Sequence, residues 1–202
     1  PQGIRLLSIT KPRTGEYDHV LTAQYDLHFM KPDRLYDENQ NGTHVTYDPF
    51  GRPLSVSMDD GSRTEYIYSD TAMPRSVATR VKASDTQTIE NITYLDGLGR
   101  TVQSVSRGKD QFMASLFTFD EMGRAECVKG PFFSDTKAFL ASDFEAIASD
   151  PYAINDGVVS TWSRTLYDER GRVKKTRQSG GITTLFACNN LETTITDPDG
   201  HR

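Results

Sequence analysis

The sequence predicts an all-β protein built as an array of β-hairpins, and three observations support that prediction. A short phrase, aromatic-Asp-x-x-Gly-Arg, occurs four times along the 202 residues, once with an extra residue after the aromatic. Its glycines fall at positions 51, 99, 123 and 171, so the gaps are 48, 24 and 48 residues, all multiples of 24. Between the phrases, apolar and polar residues alternate with a period of two, as they do in half-buried strands. A repeat of this length indicates an array of one supersecondary unit.

The phrase itself has the chemistry of a tight hairpin turn. Its residues are Tyr47, Asp48, Gly51 and Arg52; Tyr94, Asp96, Gly99 and Arg100; Phe119, Asp120, Gly123 and Arg124; and Tyr167, Asp168, Gly171 and Arg172. A type I turn favours Asp at its first position, because the carboxylate accepts backbone N–H groups, and Gly at its end, where φ is positive. We therefore predict four hairpins with these glycines at positive φ. Within each hairpin the Arg should lie over the aromatic ring or bond to the turn Asp.

The segments that flank the phrases should be strands. Residues 54–57, 101–106 and 193–196 alternate in the manner of strands and are rich in Val, Thr and Ile. An isolated hairpin is marginally stable in water, so the hairpins are expected to pair edge to edge into a curved sheet.

Two positions on the 24-residue grid depart from the phrase. Near residue 75 the chain keeps Tyr68, Asp70 and Arg75 but has no Gly. Residues 131–160 replace a phrase altogether. We therefore expect an irregular insertion at the second of these positions.

The insertion is predicted to contain a short helix that caps the strand array. Four apolar residues recur at near-helical spacing, namely Phe139, Leu140, Phe144 and Ile147. Ser142 and Glu145 have the spacing of a capping box, and Asp150-Pro151 would end the helix. The four apolar side chains should pack onto the sheet or onto a neighbouring segment.

Composition excludes several classes of function. The net charge is −5 with basic and acidic residues mixed along the chain, which is not the footprint of a nucleic-acid-binding protein. No apolar run reaches the ~20 residues of a membrane-spanning helix, so no direct membrane insertion is expected. Hydrophobic residues make up 36% of the chain, which suits a sheet with one packed face and one wet face.

One segment raises the question of a metal. Residues 37–42 place oxygen-bearing side chains at alternate positions before Gly42, like the first half of a calcium loop, and Asp48 falls at the twelfth position. The alternative is a plain polar turn, which is favoured because the flanks read as strands and Asp48 belongs to its own phrase.

No set of residues predicts catalysis or a cofactor. The four histidines, at 19, 28, 44 and 201, have no Cys or carboxylate partner at a metal-binding or catalytic spacing. Cys127 and Cys188 are the two cysteines. Two buried thiols are favoured over a disulfide, and the spacing supports no metal site. We therefore expect no catalytic, cofactor-binding or metal-binding residues, and no enzyme.

The repeated phrase resembles the YD (RHS) repeat. Residues 25–52 resemble the start of the repeat region in B-components of bacterial insecticidal toxin complexes. The "DGLGR" run at Asp96–Arg100 resembles a unit of those proteins and of related virulence-plasmid-toxin-like proteins, and the "TDPDG" run at Thr196–Gly200 is similar to a closing phrase of the same group. The resemblance covers most of residues 20–202.

This resemblance implies an arc of a large hollow β-shell of RHS type. In that family the shell encloses a toxic C-terminal polypeptide, and a β-propeller docks it to a translocation pore. The implied partners are therefore the remainder of the shell, an encapsulated effector polypeptide and a pore component. The implied location is secreted or on the bacterial cell surface, and the 202 residues would be one RHS/YD segment of a much larger protein. An excised arc should be only marginally stable, because its sheet edges are bare.

A second hypothesis comes from a different class of function. YD repeats also occur in cell-contact proteins, so the chain could be a cell-surface adhesion or carbohydrate-binding module. A shell should have a lining that tolerates an unfolded chain, whereas a lectin should present a concave cluster of exposed aromatic rings.

Overall fold

The structure, a computed structural model, describes residues 8–14, 17–84, 86–149, 161–189 and 192–201. Two compact units are present. The first lies within residues 1–68 and 77–90, and the second within residues 69–76 and 91–202. Within each unit, the order of the strands in the sheet is their order in the chain. The prediction of an all-β array of hairpins is confirmed.

The first unit is a run of antiparallel strands joined by tight turns. Its strands are β1 (Ser8–Thr14), β2 (Tyr17–Asp26), β3 (Lys31–Tyr36), β4 (Gly42–Tyr47), β5 (Pro53–Met58) and β6 (Arg63–Ser69), with most of β7 (Arg75–Lys82). From β1 to β6 each strand pairs with the next. The predicted strand at residues 54–57 is β5.

The second unit continues the same pattern. Its strands are the later part of β8 (Thr88–Leu95), then β9 (Thr101–Arg107), β10 (Phe112–Phe119), β11 (Ala125–Ser134), β12 (Trp162–Tyr167), β13 (Val173–Gln178), β14 (Thr183–Asn189) and β15 (Glu192–Thr196). Each pairs antiparallel with its successor. The predicted strands at residues 101–106 and 193–196 are β9 and β15.

The insertion holds a helix, as predicted, but its bounds differ from the expected 131–160. Strand β11 runs on to Ser134, because Phe132 and Phe133 pair with Ala114 and Met113 of β10. Helix α1 spans Ala141–Ser149. Residues 150–160, with the expected Asp150-Pro151 stop, lie outside the described residues.

The expected capping box is displaced by the true start of α1. Because the helix begins at Ala141, Ser142 lies inside the first turn and cannot serve as the N-cap. The first turn instead carries Asp143, whose negative charge suits the helix N-terminus. Asp143 also accepts a hydrogen bond from Lys129 Nζ on β11 at 2.9 Å, which ties the helix to the sheet.

Within the second unit, the insertion packs onto the strands and covers the core. Ile147 of α1 is fully buried, and Phe139 lies 5.6 Å from both Tyr94 on β8 and Phe144 on α1. Among the described residues, the buried apolar side chains are Ile92, Val102, Val105, Ala114, Leu116, Cys127 and Ile147, all in the second unit. The prediction that the helix caps the strands is therefore confirmed.

A buried glutamine fixes the segment that leads into α1. Gln103 on β9 is fully buried, yet both ends of its amide are paired. Its Nε2 donates to the Ala138 carbonyl at 2.9 Å, and its Oε1 accepts the Leu140 N–H at 2.8 Å. These two hydrogen bonds satisfy backbone groups that would otherwise have no partner, because the insertion shields them from water.

Candidate functional site

The four phrase turns have one geometry. Their glycines, Gly51, Gly99, Gly123 and Gly171, have φ of 76°, 79°, 79° and 80°, as the turn chemistry predicts. In each turn Asp Oδ1 accepts the backbone N–H groups two and four residues on, at 2.8–3.0 Å. Asp Oδ2 accepts the Arg Nε–H at 2.6–2.8 Å. The Arg side chain therefore stabilises the turn of its own phrase by bonding to the Asp at its start.

These contacts hold the turn carboxylates in their charged form. Burial acts to raise the pKa of Asp48, Asp96 and Asp120, but hydrogen bonds from the turn N–H groups and the Arg guanidinium outweigh it, so each pKa lies below its usual 3.8. For Asp168, hydrogen bonding to the Arg172 backbone is the strongest influence, and its pKa is lowered as well. The stabilisation is that of a carboxylate accepting several N–H groups.

Three of the four phrase arginines, Arg52, Arg100 and Arg124, also lie over an aromatic ring, and that ring belongs to the next hairpin. The Arg52 guanidinium is 4.0 Å from the ring centroid of Tyr68, Arg100 is 4.2 Å from Phe119, and Arg124 is 4.4 Å from Tyr167. The expectation was that the Arg lies over the aromatic ring of its own phrase or bonds to the turn Asp. The Arg bonds to its own Asp, and the ring that it contacts is the one that follows. Each of these contacts links two successive repeats of one unit.

The register of the strands explains why that ring is available. The β5–β6 ladder ends at Ser55↔Glu65, three residues after Arg52 and three before Tyr68. The β9–β10 ladder ends in the same way at Gln103↔Leu116, and the β11–β12 ladder at Cys127↔Arg164. Beyond the last paired residues, the space between neighbouring strands is filled by the Arg and the ring.

The tyrosine hydroxyls complete these contacts. The residue after the cation lies beyond the end of the ladder, and where the stacked ring is a tyrosine its carbonyl accepts the ring hydroxyl. Tyr68 donates to the Pro53 carbonyl at 3.0 Å, and Tyr167 donates to the Ala125 carbonyl at 2.8 Å. The ring thus supplies both a face for the cation and a donor for an exposed backbone acceptor.

The first repeat uses a lysine in place of the arginine. Lys31 Nζ lies 5.8 Å from the ring centroid of Tyr47 and donates to the Gly51 carbonyl at 2.6 Å. The Tyr47 hydroxyl donates to the Pro32 carbonyl at 2.5 Å, as in the other repeats. The contact therefore tolerates either cation at this position.

The phrase glycines are also contact points between repeats. A Cβ on Gly123 would lie 3.1 Å from Arg100 Nη1, and a Cβ on Gly171 would lie 3.4 Å from Arg124 Nη1. The Arg of one repeat thus passes over the glycine of the next. Glycine at these positions serves the interlock of repeats as well as the positive φ.

The remaining phrase aromatic, Tyr94, contacts the insertion. Its ring lies 5.6 Å from Phe139, and its hydroxyl donates to the Lys137 carbonyl at 2.9 Å. The same face of the hairpin therefore serves to dock the segment before α1.

The segment considered as a calcium loop is a polar turn. Asp37 Oδ1 accepts the N–H groups of Asn39 and Asn41, both at 2.8 Å, and Oδ2 accepts Asn41 Nδ2 at 2.8 Å. The side-chain hydrogen bond of Asn41 is the strongest of the influences that lower the pKa of Asp37. The turn joins strands β3 and β4, and Asp48 is engaged by Arg52, so the two carboxylates serve separate turns.

A second turn brings together three groups that could ligate a metal. Asp197, Asp199 and His201 each place one ligand atom within 4.8 Å of the others. Asp197 Oδ1 accepts the His201 N–H at 2.8 Å, and Oδ2 lies 3.1 Å from His201 Nδ1. His201 thus takes the place that Arg holds in the other turns, which accounts for the cluster as a variant of the repeat turn.

Both cysteines are free thiols. Cys127 is fully buried on β11, and burial raises its pKa to about 11. Cys188 on β14 is only partly buried, so the expectation of two buried thiols holds for Cys127 alone.

The first unit carries an apolar groove of about 780 Å³ on its strands β1 to β5. Ile9 pairs with Leu21, and Leu35 lies between Ala23 and Thr43 in the cross-strand register. The groove is lined by these residues and by Met58, with Asp37, Asp59 and Asp60 among its polar groups. Leu35 and Met58 are 40% and 49% exposed, so this face is apolar and open to solvent.

The hairpin array and its interlocking phrase have the fold that the resemblance to YD/RHS repeats implies, and that resemblance is confirmed. A protein-family profile described as "Domain of unknown function (DUF6443)" matches residues 68–182, more than half of the chain. The chain belongs to this family. Comparison with curated proteins gives no significant match.

Solved structures of toxin complexes share the fold. The crystal structure of TcdB2-TccC3 matches with a TM-score of 0.74 and 16% identity over 89% of this chain and 11% of that one. TcdB2-TccC3-TEV matches with 0.71 and 14% over 90% and 14%. The Photorhabdus luminescens Tc holotoxin pore matches with 0.73 and 13% over 91% and 14%. The chain thus spans 11–14% of the length of these solved chains. No helix in the part that the structure describes is long and apolar enough to span a bilayer.

Proposed function

We propose that this chain is a non-enzymatic wall segment of an RHS-type shell that encloses the effector polypeptide of a secreted bacterial toxin complex. The observation that carries the proposal is the link between repeats: an Arg of one hairpin caps its own turn and stacks on the ring of the next. The phrase arginines therefore serve to join successive hairpins into a wall. A wall can be lengthened by adding repeats without changing the contact that joins them.

The open apolar groove of the first unit supports enclosure of a polypeptide. An unfolded chain exposes apolar side chains, and a surface such as that around Leu35 and Met58 can contact them without demanding a fixed sequence. The acidic groups at Asp37, Asp59 and Asp60 add affinity for basic residues. The partners in this proposal are the rest of the shell, the enclosed effector and a translocation-pore component.

The arrangement of the aromatic rings weighs against the adhesion or carbohydrate-binding alternative. Sugar-binding platforms present the free face of a ring, whereas Tyr68, Phe119 and Tyr167 each have one face covered by a guanidinium. A glycan-array screen of the purified chain distinguishes the two hypotheses. Specific, saturable binding of a glycan would favour the adhesion module and contradict a purely structural wall.

The proposal is tested by protease protection in the protein as it is encoded in its native reading frame. The intact protein should protect a large C-terminal polypeptide from a broad-specificity protease, and mild denaturant should remove that protection. Arg124→Ala should weaken protection, because it breaks both the turn and the stack on Tyr167. Arg63→Ala, which removes only an exposed pair with Glu65, is the matched control. Absence of any protected polypeptide in the unaltered protein would overturn the proposal.

A further inference from the structure

The link between repeats is incomplete at Arg172. The β13–β14 ladder ends at Lys175↔Leu185, three residues after Arg172 and three before Cys188. This is the register that places Tyr68 over Arg52, Phe119 over Arg100 and Tyr167 over Arg124. Cys188 therefore occupies the position that an aromatic ring holds in the other repeats.

The small cysteine leaves a groove where the ring would lie. The space is about 600 Å³ and is lined by Arg172, Cys188, Phe186 and neighbouring residues of the turn. None of the described residues is seen to place an aromatic ring over the Arg172 guanidinium. The Arg172 side chain is 37% exposed, slightly more than the 33% of Arg52 and the 31% of Arg100 and Arg124, which each have a ring over them. Arg172 remains fixed by Asp168, so the cation is held in place for a ring that the hairpin lacks.

We propose that this groove is a docking site for a tyrosine side chain presented by a polypeptide segment. In the complete repeats the ring centroid lies 4.0–4.4 Å from the guanidinium, and the same cation is available at Arg172. An aromatic face over a partly desolvated Arg is favourable. The tyrosine reaches Arg172 from the face of the sheet, above Cys188, because the position beside β13 is already occupied by strand β14.

The backbone favours tyrosine over phenylalanine. Val173 pairs with Tyr167 across the turn, as Pro53 pairs with Tyr47 and Ala125 with Phe119. The carbonyls of Pro53 and Ala125 accept a tyrosine hydroxyl, so the carbonyl of Val173 holds the equivalent register position. A phenol that docks on Arg172 can donate to it.

The charges of the groove favour an acidic neighbour beside the tyrosine. Arg170 and Lys174 line the groove together with Glu169, while Asp168 is already paired with Arg172. The cations exceed the free carboxylate, which favours a ligand that carries its own carboxylate. A Tyr-Asp segment combines the ring, the hydroxyl and the charge.

The docking site can be tested on the 202-residue chain with short blocked peptides. The probes are Ac-Gly-Tyr-Asp-Gly-NH₂ and the same peptide with Phe or Leu in place of Tyr. Saturation-transfer NMR should show contact of the Tyr ring with the protein, a weaker response for Phe, and binding about two- to fivefold weaker for Leu, as expected from loss of a cation–π contact. The Tyr peptide should also slow alkylation of Cys188 in the folded protein.

Two variants at one position sharpen the test. Cys188→Tyr should fill the groove from within, raise the thermal unfolding midpoint and abolish the peptide signal. Cys188→Ser keeps the groove open and should bind the Tyr peptide like the unaltered chain. Equal responses to the Tyr and Leu peptides, or full peptide binding by folded Cys188→Tyr, would overturn the proposal. If Cys188→Tyr does not fold, the protection of Cys188 in the unaltered chain decides: no slowing by the Tyr peptide overturns the site.

Discussion

The two units of this protein are built from the same hairpin but are stabilised differently. In the first unit, apolar strand residues such as Leu35, Leu54 and Met58 are 40–49% exposed. In the second, Val105, Leu116 and Ile147 are at most 3% exposed, because the insertion with α1 lies over the strands. A sheet of repeats has two faces and no interior of its own, so a core exists here only where an added element covers a face. Where that cover is missing, the links between repeats carry more of the stability.

The largest expected effect is loss of core packing in the second unit. Leu116→Ala should lower the free energy of unfolding by about 2–5 kcal/mol, because a fully buried side chain leaves a cavity. Leu35→Ala in the first unit removes a side chain that is 40% exposed and should cost roughly 1 kcal/mol. Urea unfolding of both variants measures the difference. Equal costs would mean that the first unit also has a covered core.

The next effect concerns the clamp under the insertion. Gln103→Ala strands the Ala138 carbonyl and the Leu140 N–H, and should cost about 1–3 kcal/mol. Gln111→Ala is the matched control, because its amide bonds only to the exposed Asp135 side chain, and it should change stability by about 0.5 kcal/mol or less. Hydrogen exchange should show faster opening of residues 138–149 in Gln103→Ala alone. A uniform increase over the whole chain would contradict a local clamp.

The turns could be predicted from the sequence because their chemistry is local. Asp48 and Gly51 bond within five residues, so the phrase itself specifies the carboxylate acceptor and the positive φ. The presence of a helix in the insertion could be predicted for the same reason, but its bounds could not: α1 begins at Ala141, so Phe139 and Leu140 precede it. The extension of β11 to Ser134 is not predicted by the local sequence pattern, because it depends on pairing with β10.

The link between repeats could not be read from one phrase. Arg52 and Tyr68 are 16 residues apart, and Arg100 and Phe119 are 19 apart, so their contact depends on the register of the hairpin between them. The Arg and the ring each lie three residues from the end of the ladder, but the ends of the ladders are known only from the structure. Gln103 gave no signal, because an alternating strand does not reveal which polar residue lies under an insertion.

A smaller effect separates the two roles of the phrase glycines. Gly99→Ala should cost roughly 1 kcal/mol for the positive φ alone, since no atom lies within 4 Å of the added Cβ. Gly123→Ala has the same φ but also meets Arg100 Nη1 at 3.1 Å, so it should cost more. Gly97→Ala, at ordinary φ in open space, is the neutral control. If Gly99→Ala and Gly123→Ala cost the same, the interlock of repeats contributes nothing at this point.

Acid should weaken the turns of both units alike, in contrast to the core variants. The pKa values of Asp48, Asp96, Asp120 and Asp168 are lower in the folded chain than the usual 3.8. Their stabilising contribution is therefore complete above pH 3.8 and is lost as pH falls through the lower folded values. Thermal unfolding measured from pH 7 to pH 3 should give a midpoint temperature that decreases once the pH is below about 4. Asp120→Asn should lower the midpoint at pH 7 and flatten this dependence, and an unchanged dependence would contradict a role for that carboxylate.

The smallest effect does not involve a change in stability. It measures how well the insertion shields the strands beneath it from solvent. Cys127 lies under the insertion, fully buried, and burial raises the pKa of its thiol from 9.0 to about 11. The thiolate reacts and the thiol does not, so two pKa units reduce the reactive fraction about 100-fold, and burial slows access further. Iodoacetamide at pH 8 should therefore modify Cys188 alone in the folded chain and both cysteines after unfolding, as intact mass and peptide mapping would show. Modification of Cys127 at a rate near that of Cys188 would mean that the insertion opens readily, and the contrast between the two units would then be one of average packing only.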